Sequence, residues 1–118
     1  MDARVFIGSI PPMLRVGLEA ELADAGMDVV GTQDDARRIP EEVARIAPDA
    51  VMLDRDDADA GSLSARVREA CATATVVLWA RDETVIEVLD PGADVTRTVF
   101  SSVPADLYRV LANSRSAT

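Results

Sequence analysis

The sequence predicts an α/β domain: five strands in a parallel sheet, each followed by a helix, with helices on both faces. Three observations predict it. Short apolar runs rich in Val and Ile alternate with segments of helical period, only a few residues connect them, and the central run is apolar throughout, as suits a strand covered on both sides. Arg4–Gly8 (RVFIG) reads as the first strand. Pro11 and Pro12 break the chain. Met13–Ala25 then places Leu14, Leu18, Leu22 and Ala25 on one helical stripe, with Gly26 where a helix-capping glycine belongs. Asp28–Gly31 is a second short strand. Pro40 opens a second helix whose inner face is Val43, Ile46 and Ala47; Glu41 and Arg45 are spaced to pair on it, and Pro48 ends it. Asp49–Leu53 (DAVML) is the apolar central strand, and Ser62–Cys71 forms a third helix with Leu63, Val67 and Ala70 inward. Thr75–Ala80 is a fourth strand. Asp82–Leu89 reads as a short fourth helix stopped by Asp90-Pro91-Gly92. Asp94–Phe100 alternates as a fifth strand, and Pro104–Leu111 opens a last helix with Leu107, Val110 and Leu111 on one side. In such a sheet, crossovers are right-handed and a site lies at the carboxyl ends of the strands. Those ends are Gly8–Ile10, Asp54–Asp57, Ala80–Arg81 and Val99–Phe100.

The composition narrows the chemistry. At 118 residues, 48% of them apolar, the chain makes one domain with a real core, and its ordered part is expected over 4–113. Aromatics are only 3%, so that core must come from Val, Leu, Ile and Ala. There is no histidine, and every one of the 12 basic residues is arginine. Histidine acid–base and metal chemistry, lysine Schiff bases and the Walker-type phosphate lysine are therefore excluded. A net charge of −9 makes the domain a poor binder of nucleic acid, because phosphate is repelled across the whole surface. The single Cys71 cannot form an internal disulfide, which suits a reducing cytoplasm. No apolar run reaches the roughly 18 residues of a membrane span, and no secretory leader is expected.

The segments RVFIGSIPPMLRVGL (4–18), DVVG (28–31), PDAVMLD (48–54), TVVLWA (75–80) and GAD (92–94) together resemble the receiver domain of bacterial response regulators. The closest resemblance is to the CheY-like subfamily that precedes a LuxR-type helix-turn-helix. The register holds without a gap from Arg4 to about Asp56, and the resemblance covers essentially the whole chain. Towards the end the fourth helix is about two residues short, and one extra residue precedes Pro104. The resemblance implies a doubly wound sheet of strand order 2-1-3-4-5. It also implies a phosphoacceptor aspartate after the third strand, two acids after the first strand to hold Mg²⁺, a hydroxyl residue ending strand four and a lysine ending strand five. Such catalysis is positioning and charge neutralisation, so each part matters.

Here the departures begin. Asp54 matches the phosphoacceptor. The acidic pair falls on Ser9 and Ile10, the hydroxyl position on Trp79, and the lysine position on Val99 or Phe100, in a chain without lysine. The switch aromatic falls at Thr96 or Arg97 and is lost. One carboxylate beside a hydroxyl and an isoleucine is a weak Mg²⁺ site. A phosphoryl group would also sit beside Asp56, Asp57 and Asp59, with only Arg55 or Arg81 as nearby cations. The expectation is a pseudo-receiver, in which Asp54 is vestigial or simply caps its loop through backbone N–H groups.

Other readings are weaker. The acids from Asp54 to Asp59 lack the alternation, glycine and glutamate of a calcium loop. Gly8-Ser9 lacks the further glycines and the lysine of a phosphate loop, and Ser9 has no histidine to activate it. A flavodoxin-type flavin site would need a Ser/Thr-rich loop where Gly8-Ser9-Ile10-Pro11 stands. Trp79 is expected either to plug the emptied pocket or to anchor a partner. The function expected is therefore signal transduction or transcription regulation in the cytoplasm, with no enzymatic activity and no cofactor. It would act through a protein partner or a second copy, with Leu107, Tyr108 and Leu111 as interface candidates. Phosphorylation at Asp54, and sensing of a small ligand near Ser9, Ile10, Asp54 and Trp79, are the alternatives.

Overall fold

The computed structural model describes residues 3–24, 26–79, 85–93, 95 and 97–100. The chain begins with β1 (Arg4–Gly8) and α1 (Pro12–Asp24). Proline is preset for the first helical turn, and the Pro11 carbonyl accepts the Leu14 and Arg15 amides, both at 3.0 Å. Leu18 and Leu22 form the buried side of this helix. Its end is a Schellman turn: the Met27 amide reaches back to the Leu22 carbonyl and the Gly26 amide to that of Ala23, with Gly26 at φ +84°. A side chain at Gly26 would suffer its own carbonyl in that conformation, so glycine stands where the sequence suggested.

After β2 (Asp28–Gln33), a 3₁₀ turn over Ala36–Arg38 leads into α2 (Ile39–Ile46). The Asp35 carboxylate caps that turn by accepting the Arg37 amide, and this bond, with the Arg37 guanidinium beside it, holds the Asp35 carboxyl below its ordinary value. Glu41 and Glu42 occupy the first turn of α2, where the helix dipole favours them. Arg45 pairs with Glu42, one residue nearer than the expected Glu41. The far end of α2 is capped from outside: the Arg4 guanidinium donates to the Ile46 and Ala47 carbonyls, each at 3.1 Å, and the Arg4 amide donates to Asp49 at 2.8 Å. Arg4→Ala is expected to cost about 1 kcal/mol, read as a lower urea midpoint with an unchanged slope.

β3 (Ala50–Asp54), α3 (Ala60–Ala70) and β4 (Thr75–Trp79) complete the wound part of the fold. Cys71 lies just past α3, half-buried, with its sulfur 3.7 Å from the Thr73 hydroxyl. The sheet has six strands in the order β2-β1-β3-β4-β5-β6, with β5 at Val85–Leu89 and β6 at Arg97–Phe100. β1 pairs in parallel with β2 and β3, and β3 with β4. The α/β class and the order of the first four strands match expectation.

The last third does not. Val85–Leu89, expected in a helix, is a strand antiparallel to β4, and β6 is antiparallel to β5, so the sheet is mixed and not a run of five parallel βα units. The reason is local. Val85, Ile86 and Val88 are β-branched, and Ile86 and Val88 bury on one face while Leu89 turns to the other. A parallel return needs a connection of about a dozen residues, whereas the stretch between Trp79 and Val85 is hairpin-sized. Asp90-Pro91-Gly92-Ala93 is the corner of the next hairpin and not a helix stop. The Ala93 amide bonds the Asp90 carbonyl at 3.0 Å, with Pro91 and Gly92 (φ +79°) in the central positions of a type II turn. The helix expected over 104–111 lies outside the described residues.

Two apolar layers flank the sheet. One gathers Val5, Ile7, Met52, Val77, Ile86 and Val88 with Leu18 and Leu22 of α1. The other gathers Phe6, Val51, Leu53 and Val76 with Ile39 and Val43 of α2 and Leu63 and Val67 of α3.

Candidate functional site

β1 feeds α1 on one face, while its neighbour β3 feeds α3 on the other. The chains thus diverge at the carboxyl ends of β1 and β3, the edge where a doubly wound sheet carries its site. Register assembles this edge. Gly8 aligns with Leu53, so Ser9 follows beside Asp54, and Asp54 aligns with Trp79. Three of the predicted positions are therefore neighbours on successive strands, about 5 Å apart from one to the next.

Gly8 makes room at the rim. A Cβ there would lie 2.8 Å from Ile39 Cδ1 and 3.1 Å from Leu53 Cδ2, so the bare backbone lets α2 close over the strand. Ser9 is then held at φ +56°, a left-handed conformation that costs a non-glycine residue on the order of 1 kcal/mol. Its amide donates to the Gln33 carbonyl at 2.9 Å, and its hydroxyl oxygen is buried without a partner among the described residues. Ile10 is 1% exposed and belongs to the α1-side core. Ile10 thus serves packing and offers no ligand atom at this edge.

Asp54 ends β3 half-buried. Its Oδ1 accepts the Asp56 amide at 2.9 Å and its carbonyl accepts the Asp57 amide at 3.2 Å. Asp57 repeats the device on the Asp59 amide at 3.0 Å. These two acids organise the loop, as short polar side chains do in Asx turns. Among the described residues, no three His, Cys, Asp or Glu side chains gather in a metal-holding group. Arg55 points elsewhere: its amide donates to the Trp79 carbonyl at 2.9 Å, and its guanidinium lies 3.7 Å from Glu87 of β5. Sequence reasoning missed that pair because it placed Glu87 on a helix. Arg15 of α1 pairs with Asp34 just beyond β2, a second ion pair at the same edge.

Trp79 is half-buried and packs against the α1-side core. Val99 and Phe100 are not brought beside Asp54. They lie on β6, opposite Ile86 and Val85, with β4 and β5 between them and β3. Three strand spacings amount to about 14 Å. The inserted β5 is what separates them. Leu107, Tyr108, Leu111 and Arg81 lie outside the described residues.

The fold and this edge define an α/β module whose strand ends present one carboxylate engaged by its own loop. No family model, curated protein or solved structure matches the chain. Among the described residues no helix is long and apolar enough to cross a membrane.

Proposed function

We propose that this chain is a receiver-like signalling module of the cytoplasm that acts by protein–protein contact, without aspartyl phosphorylation. The observation that carries the reading is the state of the Asp54 row: Ser9 and Ile10 stand where the metal-holding acids would, Trp79 where the hydroxyl would, and Arg55, next in the chain, is turned towards Glu87. A phosphoryl group placed on Asp54 would add negative charge two residues from Asp56 and three from Asp57, and the residues after β1, Ser9 and Ile10, offer no carboxylate to seat Mg²⁺ beside it. What the α/β scaffold retains is a surface. On α1, Met13 is 91% and Val16 67% exposed, one helical turn apart, and a partner protein or a second copy that covers them gains apolar contact.

The test is direct. With Mg²⁺ and either acetyl phosphate or beryllofluoride, the Trp79 emission, placed beside Asp54 to report on it, is expected to stay unchanged, and intact-mass spectrometry is expected to find no added phosphoryl group. An acyl phosphate on Asp54 would sink the proposal. The buried, unpartnered Ser9 hydroxyl favours a second reading, small-ligand sensing at this edge, in which a cognate metabolite would raise the melting temperature of wild type but not of Ser9→Ala.

A further inference from the structure

Because β5 runs back against β4, the turn at Asp90–Ala93 lies at the amino edge of the sheet, the edge at which α3 also ends before β4 begins. The reversed hairpin thus sets Gly92 beside the last turns of α3. Between them is a hollow of about 310 Å³ lined by Ala65, Arg68, Glu69, Ala72 and Gly92. It stands one strand length from Asp54, about 16 Å, at the opposite end of the sheet.

Ala65, Arg68 and Glu69 share one outward face of α3, and Ala72 follows just past the helix end. The lining has two characters. Ala65, Ala72 and Gly92 are small and leave the space open. Arg68 and Glu69 carry opposite charges, and among the described residues neither makes a hydrogen bond or ion pair, although Arg68 is half-buried. A guanidinium in that position keeps its fork of donors for a carboxylate, which it can hold through two parallel bonds. Glu69 is an acceptor for a cation, and the negative pole at the end of α3 favours one there.

Charge decides between ligands. With 12 basic and 21 acidic residues the net is −9, so a phosphate or a dicarboxylate approaches against the whole surface and then meets Glu69. A ligand that carries both signs and no net charge escapes that repulsion and engages both side chains. The volume falls at the low end of the roughly 300–1,000 Å³ of ligand pockets, and walls of alanine and glycine leave space for a small apolar group.

We propose that this hollow binds a free α-amino acid with a small apolar side chain, its carboxylate on Arg68 and its ammonium group on Glu69. The site is separate from the Asp54 edge, and the inference holds whether or not the signalling reading does.

Titrating the isotope-labelled full chain with glycine, L-alanine and L-valine, followed by its amide resonances, tests it. At least one of the three is expected to give saturable shifts at Ala65, Arg68, Glu69, Ala72 and Gly92, with a dissociation constant of about 1 mM. Acetate and methylammonium, each half of the zwitterion, are expected to bind at least about tenfold more weakly, and so is the amino acid to Arg68→Ala or Glu69→Ala. Alanine is the best helix former, so neither variant endangers α3. Arg66→Ala, the same charge change on the same helix but off the hollow, is expected to bind like the wild type. Ala65→Leu, which fills the hollow from an exposed position, is expected to abolish the shifts. Absence of saturable shifts with all three amino acids, acetate bound as tightly as the amino acid, or unchanged binding in Arg68→Ala and Glu69→Ala would overturn the proposal.

Discussion

Val88→Asp will unfold the domain, while Glu87→Ala, one residue earlier, will leave it nearly as stable as before. Val88 is fully buried in the α1-side layer, so its replacement takes a carboxylate out of water and gives up the valine's packing there. Desolvating a carboxylate and losing that packing together cost on the order of 4 kcal/mol, a large share of the 5–15 kcal/mol that holds a domain of this size together. Glu87 faces the opposite way in the period-two pattern of β5 and pairs with Arg55 at 3.7 Å, both side chains about one-third exposed (30% and 34%). A pair so open to solvent contributes no more than about 0.5 kcal/mol. Urea titration followed by circular dichroism separates the two outcomes. Equal costs at 87 and 88 would mean that this segment does not alternate and is not a strand.

Phe6→Ala will cost about 3–5 kcal/mol, the second large effect. The ring is 1% exposed in the layer beneath α2 and α3, in a core with few aromatics to close the gap. It also dictates its neighbour. A Cβ on Gly31 would sit 3.0 Å from Phe6 Cδ2 and Cε2 and 3.0 Å from Ile46 Cδ1, so Gly31→Ala is expected to cost about 1–3 kcal/mol through overpacking. The two sites are coupled. Phe6→Leu draws the ring edge away, and the double variant is expected to be about 1 kcal/mol more stable than the sum of the single effects. Additivity within a few tenths would show that the ring does not press on β2.

Much of this protein was legible without coordinates, and the legible parts share a cause. β1 to β4 and α1 to α3 were readable because each is announced by local chemistry: proline at helix starts, Gly26 at a helix end, apolar runs bounded by turn residues. The Asp54 row was readable as well, because strand-end positions follow from strand boundaries and parallel register alone. Ser9, Asp54 and Trp79 do meet at one edge.

What the sequence could not determine was the hand of the last third. In Asp82–Leu89, acidic residues precede Val85, Ile86 and Leu89, a spacing that satisfies a short helix as well as a strand, and eight residues are too few for periodicity to choose. The choice fell to the tertiary structure. As a strand, the segment extends the hydrogen-bonded edge of β4 and sends Ile86 and Val88 into one layer and Leu89 into the other, burial that a helix with a single apolar face cannot achieve. The same choice moved Val99 and Phe100 away from Asp54 and brought Glu87 to Arg55. Local sequence thus determined which residues stand at the site edge from β1 to β4. Pairing between distant strands alone decided what stands beside them, because it depends on surfaces that exist only once the sheet has formed.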